Sequence, residues 1–245
     1  MNLSGIDASR RRLLKLAAAA ALVGSGALPA HAAVVTNKRI GVIGSGKVGS
    51  ALGGSWIKSG HEVMFSSRHL DHDKQLAASL GAKARAGSPA EAVAFGHAVL
   101  IAVPYGALPE LAKSLGSALQ GRIVIDACNP FPARDGEIAN RAREQGAGLT
   151  SAELLPGARL VRAFNAIGAA RMATAIESPG KVGMPMAGND EQAIALAKQL
   201  IRDVGFEPVL IGGLDMGKYL MPGTPLAGEH TPAEIRDIVA KLQAP

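Results

Sequence analysis

The chain has 245 residues, with 26 Lys and Arg against 20 Asp and Glu, and 48% hydrophobic residues suffice for one substantial core. Aromatic residues make up 3% of the chain, which leaves too few stacking platforms for a nucleic-acid binder. The lone Cys128 excludes an intramolecular disulfide, and one Cys with scattered His gives no zinc spacing.

The first element in chain order is a targeting pattern. Ser9-Arg10-Arg11-Arg12-Leu13-Leu14-Lys15 resembles the twin-arginine export motif, with Leu13 where Phe is more usual. An apolar run from Leu16 to Leu28 follows, then Pro29 and the A-x-A site Ala30-His31-Ala32. That run is short for a permanent bilayer-crossing helix. Residues 1–32 are expected to be a signal peptide read by the twin-arginine translocase, which would place the protein in the periplasm. The alternative is an uncleaved membrane anchor. Residues 1–32 hold four of the basic residues and one of the acidic ones, leaving 22 against 19 over the remaining 213. That mild excess does not point to nucleic acid.

Residues 33–245 read as one domain. Arg39-Ile-Gly-Val-Ile-Gly-Ser-Gly-Lys-Val-Gly49 is an apolar strand running into G-x-G-x-x-G, with Gly44, Gly46 and Gly49 in the three glycine positions. Gly44 allows the tight turn, Gly46 lets backbone approach a pyrophosphate, and Gly49 permits close helix–strand packing. An amphipathic run to Lys58, a Ser-Gly-His turn and a second strand, Glu62 to Ser66, complete a βαβ unit. That strand ends in Ser66-Ser67-Arg68, with His69, His72 and Lys74 behind it and no carboxylate before Asp71. A site selective for NAD usually has Asp or Glu there for the ribose 2′-OH. Hydroxyls and a forked guanidinium suit a 2′-phosphate instead, so NADP(H) is the expected cofactor.

Farther on, Ser88-Pro89-Ala90-Glu91 is a capping box that starts a helix. Strands are expected at Ala98–Val103, Arg122–Asp126, Arg159–Ala163, Met184–Ala187 and Glu207–Ile211, with a helix from Asp190 to Val204 and another capped by Thr231 and Glu234. Residues 135–155 and 166–181 look less regular. The alternation predicts an α/β fold: a Rossmann-type, doubly wound, mainly parallel sheet with helices on both faces, plus a small C-terminal α/β extension from about residue 166. Ligands of such sheets sit at the carboxyl ends of the strands. Val103-Pro104, Asn129-Pro130 and Phe164-Asn165 should therefore gather along one rim beside the glycine motif.

The ordered set Gly44–Gly49, Ser67-Arg68, Val103-Pro104, Asp126 with Asn129-Pro130, Leu155-Pro156-Gly157 and Ala163-Phe164-Asn165 resembles the coenzyme F420-dependent NADP oxidoreductase family. It is also similar to the related cytosolic domain of STEAP-type ferric and cupric metalloreductases. Ala187-Gly188-Asn189-Asp190 and Gly205-Phe206-Glu207-Pro208 extend the likeness over about residues 38–221. The resemblance implies that Ser45, Gly46, Lys47 and Val48 cradle the pyrophosphate and that Ser67 and Arg68 hold the 2′-phosphate. It places Val103, Pro104 and Ala163 near the nicotinamide. Past Leu214 the chain departs from the family, with Gly217-Lys218 for the common Ala-Arg pair and Pro222-Gly223-Thr224-Pro225 where a helical segment is usual.

Hydride transfer needs close, aligned placement of the nicotinamide and an acceptor, and no protein nucleophile. No catalytic side chain is therefore assigned. Asn129 and Asn165 are candidates to orient the carboxamide or the acceptor, or else are turn residues. Tyr105 either stacks at the rim or packs on the surface, and Cys128 reads as a small buried residue at a strand end. The expected activity is hydride transfer between NADP(H) and a deazaflavin (F420) or flavin, with onward ferric or cupric reduction implied by the metalloreductase likeness. One alternative is a reductase of small carbonyls or imines. Another is a non-catalytic dinucleotide-binding module or sensor serving a membrane redox partner. A homodimer is one candidate assembly, and the sequence does not fix the oligomeric state.

Overall fold

The computed structural model describes residues 37–244. The signal segment expected over residues 1–32 lies outside the described residues. Strand β1 (Arg39–Ile43) leads through the glycine turn into helix α1 (Lys47–Lys58), then β2 (Glu62–Ser66), α2 (Leu70–Leu80) and β3 (Ala84–Ala86). The chain continues with α3 (Pro89–Phe95), β4 (Ala98–Ile101), α4 (Leu108–Leu115) and β5 (Ile123–Asp126). Helices α5 (Pro132–Asp135), α6 (Glu137–Gln145) and α7 (Ala147–Leu154) precede β6 (Arg159–Arg162). The C-terminal part is α8 (Ala169–Thr174), β7 (Gly183–Gly188), α9 (Glu191–Asp203), β8 (Glu207–Gly212) and α10 (Pro232–Leu242).

The eight strands form one sheet in the order β3-β2-β1-β4-β5-β6-β7-β8. Every pairing is parallel except β6 with β7, which is antiparallel and spans only Val161–Gly188 and Arg162–Ala187. Pro185 lies in β7 outside that short pairing, where its missing N–H costs no ladder bond to β6. The expected Rossmann-type α/β fold is thus observed. The segment expected to be irregular over 135–155 is mostly helix, because α6 and α7 carry the chain from the end of β5 to the start of β6. Gly136 and Gly146, at φ +63° and +99°, set the boundaries of α6.

Alternation along β1 shows how the layers are made. Ile40 and Val42 point into one core, shared with Leu52 and Trp56 of α1 and Leu200 and Ile201 of α9. Ile43 points into the opposite core with Val93, Ile101, Leu108 and Val124. A third cluster seats Ile235 of α10 against Val209 and Ile211 of β8. Trp56 is fully buried; its indole N–H donates to the Leu200 carbonyl at 2.9 Å, and its ring meets Phe164 edge-on at 6.1 Å. This ties the first βαβ unit to the C-terminal extension. At the opposite end of the sheet from the glycine turn, buried His61 accepts from the Lys38 N–H at 3.0 Å and meets Asp203 at 3.0 Å.

The first crossing depends on the absence of side chains. A Cβ on Gly49 would lie 2.0 Å from the Gly44 carbonyl oxygen, and one on Gly44 would lie 2.3 Å from the Ala102 carbonyl oxygen. Both neighbours are backbone and cannot rotate away. Gly49→Ala is expected to cost about 1–3 kcal/mol in urea unfolding, the scale of overpacking. Gly54→Ala in the same helix, with its nearest atom the Leu80 Cδ2 at 3.8 Å, should leave stability unchanged or raise it by about 0.5–1 kcal/mol.

Candidate functional site

The strand order reverses between β1 and β4, and a cleft opens at the carboxyl ends of these two strands. Its volume is about 980 Å³. The floor is Ile43, Gly44, Ser45 and Gly46 from the β1–α1 turn and Ala102, Val103 and Pro104 after β4. One end is closed by Ser67, Arg68, His69 and His72, and a wall is formed by Gly106, Ala107, Glu110, Leu111 and Ser114. Arg134 and Asp135 of α5 complete it.

The three glycines of the motif have different physical roles. Gly44, at φ +100°, and Gly49 are confined by backbone, as described above. Gly46 is not: a Cβ there would meet nothing within 4 Å, and the residue is exposed on the cleft. The protein itself does not need a glycine at 46, whereas a ligand lying against the backbone does. Gly46 is also the N-cap of α1, and no side chain caps that helix end or places an acid in its first turn. By contrast, α3 and α10 both have complete capping boxes with Glu91 and Glu234. The first N–H groups of α1 are therefore left for an anion.

Arg68 is exposed at the end of β2 and engages no carboxylate within salt-bridge distance among the described residues. The two serine hydroxyls beside it are not free for a phosphate. Ser66 is fully buried with its Oγ unpartnered. Ser67 donates to the Asp73 carboxylate at 2.9 and 3.0 Å while accepting from the His69 N–H at 3.0 Å. The expectation that both hydroxyls face a 2′-phosphate is corrected accordingly: Arg68, flanked by His69 and His72, is the principal free donor at that end.

Other expected site residues divide the same way. Gly44, Ser45, Gly46, Ser67, Arg68, Val103 and Pro104 line the cleft. Lys47 is exposed at the start of α1, and half-buried Val48 packs on the core beneath it. Ala163 is fully buried beside Phe164, so its expected contact with a nicotinamide is corrected: no part of it reaches the surface. Asn165 is 2% exposed, and its amide donates to the Cys128 carbonyl at 3.3 Å. Asn129 donates to the Asn165 carbonyl at 2.8 Å. The two asparagines brace the ends of β5 and β6 rather than line the cleft.

Below them Arg162 and Asp126 form a fully buried ion pair at 2.5 Å, and the other Asp126 oxygen accepts from the Cys128 N–H at 2.8 Å. Burial and the nearby Asp126 charge push the Cys128 thiol well above its ordinary pKa, so it is an inert packing group. Tyr105 neither stacks at the rim nor lies on the surface. It is fully buried, bonded to Ser151 at 3.0 Å, and burial pushes its pKa up to about 12.

Sequence reasoning missed Arg134 and Asp135. Asp135 fixes the guanidinium in a fork, from Nε at 2.8 Å and Nη2 at 2.7 Å, and Nη2 also donates to the Asn129 carbonyl at 2.9 Å. Burial would raise the Asp135 carboxyl, but hydrogen bonds from Arg134 and the Phe131 and Gly106 N–H groups outweigh it and hold the pKa below the ordinary value. The position of Phe131-Pro132-Ala133-Arg134-Asp135, at the carboxyl end of β5, was the available signal.

Residues 39–130, from β1 to just past β5, match the model of the family described as NADP oxidoreductase, coenzyme F420-dependent. A solved hypothetical protein from Sinorhizobium meliloti is 26% identical, with a TM-score of 0.66 over 80% of this chain and 95% of that one. A candidate F420-dependent NADP-reductase from Arthrobacter sp. FB24 is 20% identical, with a TM-score of 0.64 over 84% of this chain and 91% of that one. A reductive aminase from Aspergillus terreus, solved with NADPH and ethyl-5-oxohexanoate, is 16% identical, with a TM-score of 0.54 over 74% of this chain but 57% of that one. The last two share the fold. No curated protein matches the chain.

Two outcomes test the site. Gly46→Val should leave thermal unfolding unchanged and weaken NADPH at least tenfold in calorimetric titration, because the branched side chain fills the cleft and not the core. Arg68→Ala should weaken NADPH by about 1.5–3 kcal/mol and leave NADH nearly untouched, the scale of a charge-assisted hydrogen bond to a 2′-phosphate.

Proposed function

We propose that this chain is an NADPH-dependent oxidoreductase that passes a hydride to a deazaflavin or flavin-type acceptor. The observation that carries the reading is the continuity of one cleft, from the end that carries Arg68, His69 and His72 to the apolar floor at Val103 and Pro104. An adenosine 2′-phosphate fits the first end, a pyrophosphate fits Gly46 and the uncapped start of α1, and a nicotinamide fits the second. Bound NADPH would supply the hydride from its reduced ring. The protein's part is to fix the dinucleotide along its length, so that one face of the ring lies on Val103 and Pro104 and the other meets the acceptor.

The proton inventory favours a ring acceptor over a carbonyl or imine. Hydride addition to a carbonyl or imine leaves charge on a single oxygen or nitrogen, which a positioned acid best neutralises. Beside Pro104, Tyr105 is buried with its pKa at about 12 and Asp135 is held in its ionised form by Arg134, which leaves Glu110 and Ser114 as the polar groups of the wall. A deazaflavin or flavin spreads the charge over its conjugated system, and solvent can deliver the proton. The family description matched over residues 39–130 and the fold shared with the Arthrobacter protein over 84% of this chain support the same reading. The chain spans little more than half the length of the reductive aminase it resembles. Arg134, held as a fork by Asp135, is placed to steady a polar edge of the acceptor.

Purified protein mixed with NADPH should lose nicotinamide absorbance when oxidised F420 or FMN is added, with matching reduction of the acceptor and no comparable rate with cyclic imines or small ketones. NADPH oxidation by imines or ketones alone would contradict the proposal. Tight NADPH binding with no turnover on any acceptor would favour the binding-module alternative.

A further inference from the structure

We infer that Asp73 sets how strongly this site prefers NADPH over NADH. The inference rests on reading the cleft as an NADP(H) site. Asp73 lies in the first turn of α2 and is fully buried. Its carboxylate accepts from two hydroxyls, Ser45 on the phosphate loop and Ser67 at the end of β2. Both serines line the cleft, so the carboxylate stands one side chain behind the surfaces that face the two phosphate positions. Among the described residues no Lys, Arg or His lies within 4 Å of it to neutralise the charge.

Two consequences follow from that placement. The first is mechanical. With the Gly44 N–H donating to the Ser66 carbonyl at 2.7 Å, the Asp73 bridge holds the phosphate loop and the Arg68 turn in one arrangement. The second is electrostatic. A carboxylate buried behind Ser67 is poorly screened by solvent, so its field reaches whatever occupies the ribose 2′ position. A 2′-phosphate carries up to two negative charges and is disfavoured by that field, whereas a neutral 2′-hydroxyl is not. Arg68, His69 and His72 favour the phosphate from the cleft side, and Asp73 opposes them from behind. The NADPH preference is the difference between the two, and Asp73 is the group that limits it.

Charge and bridge can be separated. Asp73→Asn keeps an oxygen that can accept from both Ser45 and Ser67 and removes the negative charge. Asp73→Ala removes both. Calorimetric titration of the full-length protein with NADPH and with NADH should show that Asp73→Asn raises the ratio of the NADH to the NADPH dissociation constant by roughly three- to tenfold, with NADH itself within twofold of wild type. Asp73→Ala should weaken both nucleotides, because the loop and the turn lose their shared anchor.

An unchanged ratio in a folded Asp73→Asn protein that still binds NADPH would overturn the inference while leaving the cofactor reading intact. Wild-type protein that bound neither nucleotide would overturn both. If Asp73→Asn does not fold, Asp73→Ser, also neutral, must raise the same ratio. Failure of every neutral variant to fold would make Asp73 a purely structural residue and end the proposal.

Discussion

The site depends on one backbone contact. Helix α1 can start directly above the end of β1 only because Gly49 has no side chain to meet the Gly44 carbonyl, 2.0 Å from where its Cβ would be. That approach fixes where the helix begins. It leaves the N-cap, Gly46, open on the cleft and aims the unpaired N–H groups of the first turn across the reversal in strand order. A parallel sheet covered on both faces can spare few polar groups. This helix end is left uncapped while α3 and α10 are sealed by their own Ser–Glu and Thr–Glu boxes.

Charge along the cleft follows from the same geometry. Strand β2 ends one strand away from the glycine turn, and the turn after it and the start of α2 deliver Arg68, His69 and His72 to the rim. Behind them the chain buries the Asp73 carboxylate, held by hydroxyls alone. On the other side, Val103 and Pro104 present an apolar surface, and Arg134 and Asp135 of the same cleft cancel each other in a fork. One end thus offers donors suited to a phosphate, and the other an apolar surface suited to a flat ring. Beneath the floor, the buried Arg162–Asp126 pair and the two asparagines hold β5 and β6 in place without reaching the ligand space. Removing one partner of such a pair leaves an uncompensated charge, so it is a constraint on the scaffold more than a reserve of stability.

Much of this could be read from the residues because its causes are local. The glycine spacing, the strand alternation and both capping boxes are patterns within a few positions, and each appears where the sequence placed it. The direction of β7 could not be read, since a strand carries no local mark of its partner's polarity. Helix α7 looked irregular because its buried residues, Ala147, Gly148, Thr150 and Ser151, are all small and give a weak periodic signal. Ala163 was placed near the nicotinamide by the family likeness, and Asn165 and Tyr105 at the rim by their position after strands. Their side chains turn inward instead, and whether a residue after a strand faces ligand or core is decided by tertiary packing. Asp73 was invisible for the opposite reason: a residue in a polar run reaches back over six positions to Ser67 and twenty-eight to Ser45.

A crystal structure of the protein with NADP⁺ should show the pyrophosphate within hydrogen-bonding distance of the first N–H groups of α1, the 2′-phosphate on the Arg68 guanidinium, and the nicotinamide against Val103 and Pro104. A dinucleotide bound in the reverse direction, or outside the β1–β4 cleft, would contradict this placement.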